Sequence, residues 1–276
     1  MLVNLKEILE EARLKKYAVG AFSCYNYETI KGVMEAAEEL GRPTIIAFGE
    51  NYFSNMDLEE VVALVTQMNK KSSIKAALHL DHCKSIHHIQ KAIKAGFTSV
   101  MYDGSDLSFE ENINNTKQIV KEAHAMNVSV EAELGSLALG EHSNEEGAKE
   151  MYTNPKEAKK FVEETGVDAL AVSIGTVHGM YKGEANIDID VLEKINTLVN
   201  IPLVLHGGSG TPEEIIKKCI NRGISKINVN TEISVHVMEK IKYDLAKEKN
   251  FHYSILAIQN KNAVKEVVKK YVQIFS

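Results

Sequence analysis

Three histidines each follow a short apolar run. His82 closes "ALHLDH", His178 comes just after "ALAVSIGTV", and His206 closes "IPLVLH". Neutral imidazole is a good zinc ligand, and three imidazoles with one open position make a catalytic zinc site. One histidine in such a place is ordinarily a capping or core residue. Three of them, on three separate segments, meet only if those segments lie side by side and end at one mouth. Other polar residues stand at the same kind of position: Ser23 and Cys24, Asp81, Asp103, Glu131 and Glu133, then Asn228, Asn230 and Thr231. Burying such groups together without a purpose would be costly. His79 reads as a core histidine. His87 and His88 follow a good helix N-cap, Ser85, and read as helix surface. Cys83 adjoins His82, and adjacent strand residues are awkward as ligands to one ion, so it is set aside.

His206 runs directly into Gly207-Gly208-Ser209-Gly210 and then Thr211-Pro212-Glu213-Glu214. Proline at a first helical position followed by acidic residues is a helix start. Glycines let backbone N–H groups approach an anion, and the helix adds its positive end. A tight turn is the plain alternative. The segment "NVNTE" also feeds a helix, and phosphate sites after the seventh and eighth strands are common in barrels.

These residues need a scaffold that brings strand ends together. Eight apolar segments alternate with helical ones: "YAVGAF", "PTIIAF", "IKAALHL", "TSVMYD", "VSVEAEL", "DALAVSI", "IPLVLH" and "SKINVN". Their near-continuous apolar character suggests strands covered on both faces. Eight βα units predict a single-domain (β/α)8 TIM barrel over residues 1–276, with chemistry at the C-terminal strand ends. A doubly wound open sheet is the other arrangement, but it calls for a glycine-rich turn after the first strand, where "AFSCYNYETI" has none. The connection at about 134–154 has little hydrophobic pattern and reads as a mobile loop over the site, carrying Glu141, His142, Glu145 and Glu146.

Composition narrows the partners. The chain has 276 residues, four prolines and a formal net charge of −6 without charge blocks. This gives no reason to expect nucleic acid or an anionic membrane as partner. No apolar run approaches the ~18 residues of a membrane span. The N-terminal stretch reads as an amphipathic helix rather than a signal peptide. Three widely spaced cysteines read as reduced thiols of a cytoplasmic protein.

The motifs "LHLDH", "MYDGS", "FEEN", "SVEAELG", "TGVDALAVSIGTVHG", "IPLVLHGGSG" and "KINVNTE" together resemble the class II, metal-dependent ketose-bisphosphate aldolases of fructose and tagatose type. The resemblance reaches from the N-terminus to about Glu232. It implies Zn2+ held by His82, His178 and His206, and Asp81 as the acid/base at the C4 oxygen. It implies dihydroxyacetone phosphate held by Gly179, Gly207, Gly208, Ser209, Asn228, Val229, Asn230 and Thr231, with Lys182 near the phosphate. Asp103 and Glu133 match positions that orient the ligands or hold a second divalent ion. Glu141 matches a loop glutamate that handles the proton on C3, and a monovalent cation (Na+ or K+) near the phosphate is a further implied ligand. The expected partner is a phosphosugar, in a homodimer or homotetramer. No lysine stands at the end of a candidate strand, which fits a metal rather than an imine as the electron sink.

Four segments depart from the family pattern: Phe22-Ser23-Cys24, Phe48-Gly49-Glu50, Ala138-Leu139-Gly140-Glu141-His142, and a tail, "NFHYSILAIQNKNAVKEVV", without arginine. They touch the half of the site that receives the aldehyde and leave open a partner other than glyceraldehyde 3-phosphate. A metal-dependent phosphosugar isomerase or epimerase, and a non-catalytic sugar-phosphate sensor, are the competing classes.

Overall fold

The computed structural model describes residues 2–144, 151–247 and 252–276. Its strands are β1 (Val19–Ser23), β2 (Thr44–Gly49), β3 (Ala76–Cys83), β4 (Ser99–Tyr102), β5 (Ser129–Leu134), β6 (Ala138–Leu139), β7 (Ala169–Val172), β8 (Val177–His178), β9 (Leu203–Leu205) and β10 (Ile224–Val229). Its helices are α1 (Leu5–Lys15), α2 (Tyr27–Leu40), α3 (Leu58–Asn69), α4 (Ile86–Ala95), α5 (Phe109–His124), α6 (Pro155–Thr165), α7 (Ile189–Leu198), α8 (Glu213–Asn221), α9 (Thr231–Lys247) and α10 (Tyr253–Ile274). Strands β1, β2, β3, β4, β5, β7, β9 and β10 pair in parallel and close on themselves. All eight expected strands are barrel strands, and the fold is a single-domain (β/α)8 barrel.

Local chemistry sets the elements. Asn26 and Thr29 form a reciprocal capping box at the start of α2, Ser108 and Glu111 do the same for α5, and Asn154 caps α6 ahead of Pro155. Helices α2, α4 and α6 end at Gly41, Gly96 and Gly166. Pro212 occupies the N-cap of α8 rather than its first turn, so that helix begins one residue later than the sequence suggests.

The strands are less uniformly apolar than expected. Side chains alternate across a strand. Outward positions such as Phe22, Ile46, Leu78, Val100, Val130 and Leu205 join the layer beneath the helices. Inward positions are small or polar. At the N-terminal end of the barrel, Val19, Ala21, Ile45, Ala77 and Ala169 pack against Leu5, Ile8, Leu9 and Ala12 of α1. Helix α1 therefore plugs the bottom, each large side chain contributing about 1.5–3 kcal/mol of burial. Higher up, the inward residues become His79, Glu131 and Lys226, and at the mouth Asp81 and His206, all buried.

The 134–154 connection is tied down at both described ends. Strand β6 pairs with β8, Glu141 and Met180 exchange backbone hydrogen bonds of 2.8 Å, and Ser136 pairs with Met151. Glu145 and Glu146 lie outside the described residues. Cys24, Cys83 and Cys219 are free and buried. Among the described residues, no helix is long and apolar enough to cross a membrane.

The plug makes a stability prediction. Leu9→Ala, at a fully buried position, should cost about 2–5 kcal/mol in denaturant unfolding, whereas Leu14→Ala, at a position 84% exposed, should stay within about 0.5 kcal/mol.

Candidate active site

Strand β3 carries both Asp81 and His82, which regular alternation would place on opposite faces. The pairing with β4 gains one residue between Leu80↔Val100 and Cys83↔Tyr102, and His82 has φ 45°. This bulge turns Asp81 and His82 together into the mouth and sends Cys83 outward into the core layer. A left-handed histidine costs about 1–3 kcal/mol and persists only where the surroundings over-determine it.

The three histidines converge. Ring centroids of His82 and His206 are 4.5 Å apart, those of His82 and His178 5.0 Å, and those of His178 and His206 5.9 Å. One nitrogen from each lies within 4.8 Å of those of the other two. His178 Nε2 and His206 Nδ1 are buried without a hydrogen-bond partner. Three imidazole nitrogens within reach of one another, with His178 Nε2 lacking any partner and His206 Nδ1 facing only the Glu133 carboxylate, are a donor set that fits a divalent cation.

Carboxylates surround this set. Asp103 Oδ2 lies 3.2 Å from His82 Nδ1, while its Oδ1 accepts from the Ser105 amide and hydroxyl. Glu133 Oε2 lies 3.1 Å from His206 Nδ1 and 4.0 Å from His82 Nδ1. His82, Asp103 and Glu133 form a second group with ligand-like spacing. Burial alone would lower the His82 pKa, but the Asp103 hydrogen bond and the charges of Asp81 and Glu133 hold it well above the usual value. His178 is pushed well below that value by burial and by its two histidine neighbours. A third group, Glu50, Cys83 and His88, lies off the mouth, with Glu50 accepting from the Lys84 amide and sitting 2.5 Å from His88 Nδ1. His88, expected as helix surface, is therefore half-buried against Glu50.

Asp81 is oriented by Asn228, whose amide lies 3.2 and 3.3 Å from its two oxygens. Burial opposes its charge, but His79, His82 and Lys226 hold it well below the usual carboxylate range. It rests as an anion, able to accept a proton. Beneath it lies a pairing between two of the motifs, "SVEAELG" and "KINVNTE". Lys226 is fully buried, with Nζ 2.8 and 3.0 Å from the two Glu131 oxygens and 4.0 Å from Asp81. Glu131 also meets His206 Nε2 at 3.0 Å, and His79 donates to or accepts from Ser99 Oγ at 2.9 Å while its Nε2 lies 3.6 Å from both Asp81 and Glu131. Lys226 thus enters the barrel from mid-strand, although no lysine was expected at a strand end. It is ion-paired and does not line the cavity.

The cavity and its opening to solvent together enclose about 380 Å3 of empty space. Ser23, Asp81, His82 and His178 line one part, and Gly179, Gly207, Ser209, Asn228, Asn230 and Thr231 another. A Cβ on Gly207 (φ 72°) would fall 2.3 Å from the Val177 carbonyl, and one on Gly208 2.5 Å from Ile227 Cγ2, so this loop is packed to backbone contact. Ser143 and Asn144 also line the cavity, and neither stands out in the sequence. Asn144 and Asn230 both donate to the Tyr52 hydroxyl, at 2.9 and 3.0 Å. Val229 faces the helix layer, so only its backbone can serve a ligand. Glu141 and Lys182 are exposed and outside the lining.

A family model, "Fructose-bisphosphate aldolase class-II", matches residues 3–276. The chain belongs to the class II aldolase family. It is 40% identical over 275 residues to a sulfofructosephosphate aldolase from Alkalicoccus urumqiensis, covering 99% of this chain and 96% of that protein. It is 44% identical over 256 residues to a fructose-bisphosphate aldolase from Geobacillus stearothermophilus, covering 91% and 88%. The crystal structure of the YdjI aldolase from Escherichia coli K12 superposes with a TM-score of 0.90 at 35% identity, covering 100% of this chain and 98% of that one. The protein is therefore an aldolase, a carbon–carbon lyase of a generally metal-dependent family.

The buried pair under the site predicts an asymmetric response. Lys226→Met, which strands Glu131, should cost about 3–5 kcal/mol in denaturant unfolding. Adding Glu131→Gln should recover more than half of that loss.

Proposed function

We propose that this aldolase catalyses the reversible, Zn2+-dependent cleavage of a ketose 1,6-bisphosphate, of fructose or tagatose type, to dihydroxyacetone phosphate and glyceraldehyde 3-phosphate. The observation that carries the reading is the trio of His82, His178 and His206, each with a nitrogen within 4.8 Å of the other two, standing beside Asp81 and a glycine-lined cavity.

His82, His178 and His206 would hold the ion, with Asp103 and Glu133 fixing the rings or sharing a second divalent cation. When bound, Zn2+ supplies Lewis-acid stabilisation of the charge that develops at C2, worth several kcal/mol. Asp81 takes the C4 hydroxyl proton; the C4–O bond becomes a carbonyl, the C3–C4 bond breaks, and its electron pair moves toward C3 and C2. Asn228 keeps both Asp81 oxygens aimed. A proton then returns to C3, the role assigned to Glu141, whose exposed side chain must turn inward to serve it. The backbone at Gly179, Gly207, Gly208, Ser209 and Asn228 to Thr231, with the starts of α8 and α9, would bind the C1 phosphate, Lys182 and a monovalent cation adding charge. A homodimer or homotetramer in the cytoplasm completes the reading.

A second reading concerns the aldehyde. Among the described residues, no lysine or arginine lines the cavity, and α10 carries no arginine. The Alkalicoccus relative is named for a sulfonated substrate. A sulfonated or other non-standard aldehyde is therefore the competing partner.

The test is a metal-stripped, zinc-reloaded enzyme offered fructose-, tagatose- and sulfofructose-type phosphates, with dihydroxyacetone phosphate as readout. Zinc-dependent release is expected, and the ranking identifies the aldehyde; no release from any of them, with zinc bound, overturns the reading. Asp81→Ala should lose about 10²–10⁴-fold in kcat while retaining full zinc content.

A further inference from the structure

The loop read above as the phosphate cradle is held from behind by the last helix. The Gly210 amide donates to Tyr271 Oη at 3.2 Å and to Glu232 Oε2 at 3.4 Å. The Tyr271 hydroxyl donates to the same carboxylate and lies 3.4 Å from the Gly208 carbonyl. The Glu232 amide donates to Ser209 Oγ at 3.2 Å, and Lys270 pairs with Glu232 Oε1. Three of the four residues of the Gly207–Gly210 loop are therefore tied to Glu232, Tyr271 or both.

Tyr271 comes from α10, 61 residues beyond Gly210, and is only 2% exposed. A phenol buried there donates its one proton to the carboxylate and accepts from the Gly210 amide, with the Gly208 carbonyl a longer, competing acceptor. A carboxylate beside an anion site would repel the anion unless its charge were engaged. Lys270 and the Tyr271 hydroxyl engage both Glu232 oxygens. The lysine is exposed, so it neutralises the carboxylate without entering the cavity.

We propose that Tyr271 and Glu232 are positioning residues for the substrate phosphate: the C-terminal helix sets the shape of the Gly207–Gly210 loop, and through it phosphate affinity, without touching substrate. The inference rests on that loop binding the phosphate. The plain alternative is that Tyr271 is a core aromatic, packed on Phe275 with ring centroids 5.5 Å apart.

The two are separated by Tyr271→Phe, which keeps the ring and removes the hydroxyl, in the zinc-loaded full chain. The dissociation constant of inorganic phosphate, read directly by calorimetry, and the KM for ketose bisphosphate should both rise about tenfold, as expected for one lost hydrogen bond to the loop. The kcat should stay within about twofold, and the visible spectrum of the Co2+-substituted protein should not change. Glu232→Gln, which keeps the volume, should raise the phosphate constant about threefold and serves if the first variant folds poorly. Phe275→Leu, in the same core but off the loop, should lower the melting temperature and leave phosphate binding alone. An unchanged phosphate constant in both loop variants, or an equal rise in Phe275→Leu, overturns the inference. Because phosphate binding is read without turnover, a wild-type enzyme that cleaves no ketose bisphosphate would count against the proposed reaction and leave this comparison intact.

Discussion

The interaction on which the site depends is the buried ion pair between Lys226 and Glu131. The upper barrel holds Asp81, Glu131, Glu133 and Asp103 within a few side chains of one another, and such charges are costly in a low-dielectric interior unless paired. Lys226 compensates Glu131 directly and Asp81 from 4.0 Å, and it can do so because it enters from mid-strand. Glu131 in turn reaches His206. Base and metal-ligand candidates are thus fixed by one network, and a divalent ion at the histidines would offset much of the remaining negative charge.

Geometry is purchased locally by two departures from regular strand structure. The bulge at Asp81 and His82 lets neighbouring residues face one mouth. A second register shift, between Ile224 and Lys226 in β10, sits where the buried lysine enters. Both lie inside otherwise regular parallel pairing, so the plugged lower barrel can remain small and apolar while the upper part carries charge. The last helix extends the same division: it packs on α2 and α9, and through Tyr271 reaches the loop that follows His206.

The barrel was legible in the sequence because its punctuation is local. Helices end at Gly41, Gly96 and Gly166, and β-branched runs follow. That His82, His178 and His206 would meet was legible because each stands at or just past the end of an apolar segment. The Glu131–Lys226 pair was not, since its members stand 95 residues apart and the motifs that contain them, "SVEAELG" and "KINVNTE", do not mark them as partners. The alternation Lys226, Ile227, Asn228, Val229 was the one signal available, since it puts Lys226 on the same face as Asn228. The apolar residues that flank Lys226 in β10, Ile224 and Ile227, mask it. Tyr52, Asn144 and Tyr271 reach the site from a short 3-10 turn, a loop and the last helix, where no periodicity marks function. Lys182 was placed at the site by likeness alone and Glu141 by likeness and its loop, and in this arrangement both face solvent.

If His82, His178 and His206 hold the ion, three imidazoles and no sulfur surround it. X-ray absorption at the zinc edge of the protein loaded with one equivalent tests that assignment most directly. Three nitrogen scatterers at about 2.0–2.1 Å, with imidazole multiple scattering and no sulfur shell, are expected. A sulfur shell near about 2.3 Å would place the ion at Cys83 with Glu50 and His88, and would contradict the assignment of His82, His178 and His206.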